Sequence, residues 1–128
     1  MEKRVFDLEE RLINFSVMIL NVTEQLPNNY AGKHLANQLT RSGTAPALNY
    51  GEAQGAESRN DFVHKMKICL KELRETQICL KIIQLKPMIE TKEIENIIEE
   101  CNQLVAIFTS SVKKATQTVK TAKPRNVK

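Results

Sequence analysis

Tryptophan is absent from this 128-residue chain, aromatic residues make up 5% of it, and only 4 glycines and 4 prolines punctuate its length. Scarce turn formers and scarce aromatics argue against a many-stranded sheet and for a few long helices. Long apolar runs are also missing. The longest near the start is Val17 to Leu20, far short of a membrane span or a signal-peptide core. The expectation is a cytoplasmic protein with no membrane partner. Cys69, Cys79 and Cys101 are odd in number and show no Cys-x-x-Cys spacing. A chain of this length needs no covalent staples, and the three read as buried, reduced thiols.

Acidic residues are missing from one region only. After Glu100 there are none, while Lys113, Lys114, Lys120, Lys123, Arg125 and Lys128 supply six positive charges. Setting those six aside leaves 13 of the 19 basic residues against 15 acids. The net charge of +4 therefore belongs to the C-terminal segment.

What is present is helical periodicity. Val5, Leu8, Leu12, Phe15, Ile19, Val22 and Leu26 alternate spacings of three and four, which predicts a first helix from about Val5 to Gln25. Phe6, Ile13 and Leu20 form a second apolar stripe beside it, and Pro27-Asn28-Asn29 ends the pattern with turn residues. A second helix is expected from Tyr30 or Lys33 to near Gly55. Its inward stripe of Leu35, Leu39, Ser42, Pro46 and Ala53 is small and irregular. Pro46 removes a backbone donor at a cost of about 3 kcal/mol, which predicts a kink there or, as the lesser alternative, a break into two helices.

Ser58-Arg59-Asn60-Asp61 resembles a capping box and opens a third helix with the core line Phe62, Met66, Cys69, Leu73, Thr76, Leu80 and Ile83. Lys86-Pro87 stops it. Thr91 is the expected N-cap of a fourth helix, whose apolar face carries Ile94, Ile97, Cys101, Leu104 and Phe108, flanked by Ile98, Val105, Val112 and Val119. Four amphipathic segments with short connections predict an all-α, antiparallel up-down-up-down four-helix bundle. It should span residues 1–121, followed by a basic, disordered tail over 122–128.

Residues for chemistry are hard to find. Only His34 and His64 are available as imidazoles, and neither has a Glu three positions before it, as a di-iron bundle requires. The cysteines lack zinc-ligand spacing. No Gly-rich phosphate loop or Gly-x-Ser-x-Gly elbow exists. No catalytic residue, metal or cofactor is expected.

Three other features stand out. Lys67, Lys71, Arg74 and Lys81 share one line of the third helix, opposite its core line. This reads either as an ordinary solvated face or as a basic stripe that follows phosphates, extended by Lys113, Lys114, Lys120, Lys123 and Arg125. With no aromatic platforms for stacking bases, only backbone or shape recognition is on offer. Ile68, Ile78, Ile82 and Leu85 lie off the core line and point to self-association. Gln38, Arg41, Asn49 and Glu52 flank the second helix, as plain surface or as a polar network at a helix or subunit boundary.

The run Asn37-Gln38-Leu39-Thr40-Arg41-Ser42-Gly43-Thr44, then Asn49 and Glu52-Ala53-Gln54, resembles the bacterial four-helix bundle protein family, also called the 23S rRNA intervening-sequence protein family. The match continues through Ser58, Asp61-Phe62, Lys65-Met66, Leu70-Lys71-Glu72 and Arg74-Glu75-Thr76. The resemblance implies a bundle that assembles into a ring, typically a homopentamer, and a link to the accessory proteins of diversity-generating retroelements, which bind nucleic acid. It brings no catalytic residue, and it implies structural roles for Gln38, Arg41, Asn49, Glu52 and Glu72. Two positions depart from the family pattern, Pro46 and the pair Ile78-Cys79. The functional expectation is a non-enzymatic, ring-forming adaptor associated with an RNA or DNA backbone. The alternative is a protein-binding oligomeric scaffold without a nucleic-acid role.

Overall fold

The computed structural model describes residues 7–122, and these form four helices: α1 (Leu8–Thr23), α2 (Tyr30–Gln54), α3 (Arg59–Leu85) and α4 (Thr91–Ala122). Each of the first three starts where a short polar side chain caps it. Asp7 accepts from the Glu10 backbone N–H at 3.1 Å, Asn29 from Gly32 at 2.8 Å and Ser58 from Asp61 at 3.0 Å, each satisfying a donor that the first turn leaves open. The Ser58 cap is the one that the capping-box pattern predicts. Asn29 was legible only as turn chemistry. Val5, Phe6, Lys123, Arg125 and Lys128 lie outside the described residues, as does the capping role expected of the Thr91 side chain.

Helix α2 runs unbroken through Pro46, so the alternative of two separate helices does not hold. Pro46 is buried, and its carbonyl receives the Cys69 thiol at 3.5 Å. Gly32 admits the turn between α1 and α2. A Cβ there would stand 1.9 Å from the Pro27 carbonyl oxygen.

The core is made by the lines expected from periodicity, except that Leu35 of α2 and Phe62 of α3 are only half-buried. Leu12, Phe15, Ile19 and Val22 of α1 meet Leu39 and Ala53 of α2, Met66, Cys69, Leu73, Leu80 and Ile83 of α3, and Ile94, Ile97, Cys101, Leu104 and Phe108 of α4. Phe62, expected to head the α3 core line, is only half-buried, and its neighbour Val63 is the buried residue. Ile68, expected off the core line, is half-buried.

Helices α1 and α3 each pack against both α2 and α4, while their own backbones stay more than 8 Å apart, Cα to Cα. Partner positions descend along one helix as they ascend along the next. Arg11 reaches Glu100 and Gln103 while Gln25 reaches Glu93. Glu52 meets Lys65 while Ser42 meets Thr76, and Gln77 meets Asn102 while Arg74 meets Thr109.

Candidate functional surfaces

The strongest polar arrangement joins α2 to α3. Arg41 donates to Glu72 at 3.2 Å and also to Glu75. Glu72 is nearly buried, so its charge is held where water cannot fully solvate it and the guanidinium is its compensation. Below it, Thr76 Oγ1 lies 2.9 Å from Ser42 Oγ and 2.8 Å from the Glu72 carbonyl. A hydroxyl has one proton to give, so the Thr76 hydroxyl serves one of these contacts as acceptor. Ser42 and Thr76 are fully buried, and each satisfies the other.

The four polar residues singled out on α2 do not form one network. Glu52 pairs with Lys65 at 2.7 Å, which raises the Lys65 pKa through that hydrogen bond. Asn49 donates to the Ala45 carbonyl of its own helix at 3.0 Å. Gln38 lines a groove of about 340 Å³ together with His34, Leu35, Glu75, Ile78, Cys79 and Ile82. Periodicity shows that these residues share a flank, but not that their partners lie on another helix.

Two further contacts were not legible in the sequence. Arg11 holds Glu100 at 2.7 Å and Gln103 at 2.6 Å, joining α1 to α4, and its pKa is raised by the hydrogen bond to Glu100. Tyr50 stacks edge-on against Phe108, with ring centroids 6.0 Å apart. Burial raises its pKa, helped by the carboxylates of Glu9 and Asp7. Arg11 stands next to the α1 core line at a position that gives no sign of its partner.

No reactive thiol emerges. Burial pushes Cys69 and Cys101 up to about 12 and Cys79 to about 11, so each stays protonated and a poor nucleophile. His34 and His64 are both exposed, on different helices. Among the described residues no group of three or more His, Cys, Asp or Glu is arranged to hold a metal ion, and no helix is long and apolar enough to cross a membrane.

The basic line is solvent-facing throughout. Lys67, Lys71, Arg74 and Lys81 are exposed on α3, and Lys113, Lys114 and Lys120 on α4. Arg74 donates to Thr109 at 3.4 Å. Because α3 and α4 pair in opposite order, Lys67 and Lys71 run alongside the stretch of α4 that carries Lys113 and Lys114. Lys114 also shares a cleft of about 320 Å³ with Arg59, Phe62 and Thr118.

Two apolar stripes face outward. On α3, Ile78, Ile82 and Leu85 are 47–83% exposed, and on α1, Ile13, Val17 and Leu20 are 40–51% exposed.

A protein-family model described as 23S rRNA-intervening sequence protein matches residues 6–110. A solved structure from Bacteroides thetaiotaomicron, a protein of unknown function from the S23 ribosomal protein family, is also similar. It shares 29% sequence identity, covers 84% of this chain and 99% of that one, and superposes with a TM-score of 0.76. No curated protein matches the chain.

Proposed function

The chain belongs to the 23S rRNA-intervening sequence protein family, and on that premise we propose that it is a non-enzymatic, ring-forming helical bundle acting as an RNA-associated adaptor. The observation that carries the RNA part is the gathering of exposed cations from two helices toward one end of the bundle: Lys67 of α3 beside Lys113 and Lys114 of α4. Such a surface attracts a phosphate backbone by charge and by counterion release, without reading bases. The family description, which names an rRNA intervening sequence, agrees in chemistry with this surface. Support for a non-enzymatic role comes from the three thiols, which are buried and held protonated.

The test is binding of a structured RNA followed by fluorescence anisotropy across a salt series. Affinity should fall steeply with salt and weaken in Lys113→Gln/Lys114→Gln. Affinity indifferent to both salt and these substitutions would sink the RNA role. A protein partner that survives nuclease treatment, in the absence of RNA affinity, would replace it with the scaffold reading.

A further inference from the structure

We propose that the exposed stripe of α1 and the exposed stripe of α3 are the two halves of one head-to-tail interface between copies of this chain. The inference rests on the ring-forming part of the reading above and not on its RNA part. The two stripes have the same internal spacing: Ile13, Val17 and Leu20 repeat the intervals of Ile78, Ile82 and Leu85. Such intervals place three side chains on one line of a helix.

They also lie at the same height. Arg11, two residues before Ile13, and Gln77, one before Ile78, both reach the Glu100–Gln103 segment of α4. Both helices run against α4, so the stripes proceed in the same direction from that common level. Since α1 and α3 sit across the bundle from each other, each packed on α2 and α4, their exposed stripes face away on opposite sides.

Charge distinguishes the two faces. Glu9 and Glu10 precede the α1 stripe by a turn and Glu24 follows it, all exposed. Lys71 and Arg74 precede the α3 stripe and Lys86 follows it, also exposed. Like faces brought together would set carboxylate against carboxylate, or cation against cation. Unlike faces oppose Glu10 to Arg74 at the level where the apolar contact begins. Among the described residues neither Glu10 nor Lys71 has an ion-pair partner within the protomer. Two different, complementary patches make a heterologous contact, which repeats until the rotation closes. Equal heights allow closure into a flat ring without a rise per subunit. In this arrangement Lys71 and Arg74 serve the neighbouring chain, leaving Lys67 and the α4 lysines to face a phosphate backbone.

The experiment uses Val17→Cys, Ile82→Cys and the double variant of the full chain with a short thiol–thiol crosslinker. The native cysteines are buried and stay silent. The double variant should give a ladder of covalent oligomers, and each single variant should give none. A link inside one chain adds no second chain's mass, so the ladder reports links between copies alone. Crosslinked dimers from either single variant, or no ladder from a double variant that light scattering shows to be oligomeric, would overturn the pairing but leave assembly standing. A monomer in light scattering would overturn assembly itself. As a second readout, Glu10→Arg and Arg74→Glu should each weaken assembly at least tenfold and restore it when combined. Failure of the combination to recover would also reject the proposed register.

Discussion

Gly43 of α2 lies so close to Ile19 of α1 that a Cβ added to it would stand 2.7 Å from both Cγ atoms of that isoleucine. Ile19 is fully buried, and both branches from its Cβ meet the added atom, so it cannot turn aside cheaply. The glycine sets how near the two helices come.

Gly43→Ala should therefore destabilise the protein by about 1 kcal/mol. Overpacking costs about 1–3 kcal/mol, and the better helix propensity of alanine returns about 1 kcal/mol. Gly51, where a Cβ meets nothing within 4 Å, is the control: Gly51→Ala should stabilise by roughly 0.5–1 kcal/mol. Urea unfolding at fixed protein concentration measures both. Equal signs at the two positions would disprove the close-approach account.

Arg41→Ala should cost about 1–3 kcal/mol, since it leaves the nearly buried Glu72 carboxylate without its cation. Adding Glu72→Gln should recover part of the loss, because the uncompensated charge is then gone. If the second substitution only adds to the damage, packing by the arginine stem, and not charge compensation, holds α2 to α3.

Stability should fall at alkaline pH. The three folded thiols are raised to about 11 or 12, while unfolded thiols ionise near about 8.5. Above that pH the unfolded chain binds fewer protons than the native one, so the slope is negative, approaching about 1.4 kcal/mol per pH unit for each thiol. Below it the thiols contribute no slope. Cys101→Ala should make the decline shallower between about pH 9 and 12, the window between the unfolded and folded values of that thiol. In the native protein at pH 8, a thiol reagent should find none of the three.

In the RNA titration, Lys113→Gln/Lys114→Gln should lower the slope of log affinity against log salt by about 2, one for each phosphate that is no longer neutralised. Lys71→Gln should change that slope less than it changes assembly. The opposite ranking would assign Lys71 to RNA.

Much of the fold was legible because it is local. The Ser58 cap, the stop at Lys86-Pro87 and the core lines of α1, α3 and α4 depend on residues within a turn or two of one another. The surfaces were legible as sets of residues, not as arrangements. Lys67, Lys71, Arg74 and Lys81 could be placed on one line. Their proximity to Lys113 and Lys114, however, depends on how α4 is shifted along α3. The stripe of Ile13 and Leu20 was visible, but Val17 between them read only as part of a short apolar run. Phe62 was misplaced because periodicity gives an angle around a helix axis and not the distance to the next helix.

The sequence by itself determined four helices, their approximate limits and the inward lines of α1, α3 and α4. Periodicity, capping and residue type are properties of the chain's own neighbourhood. Only the tertiary structure decided that Arg41 serves Glu72 and Glu75, that Arg11 serves Glu100, and that the stripes of α1 and α3 stand level on opposite sides. Each of these depends on the rotation and axial shift between packed helices, which is settled by contacts between residues far apart in the chain, such as Gly43 with Ile19.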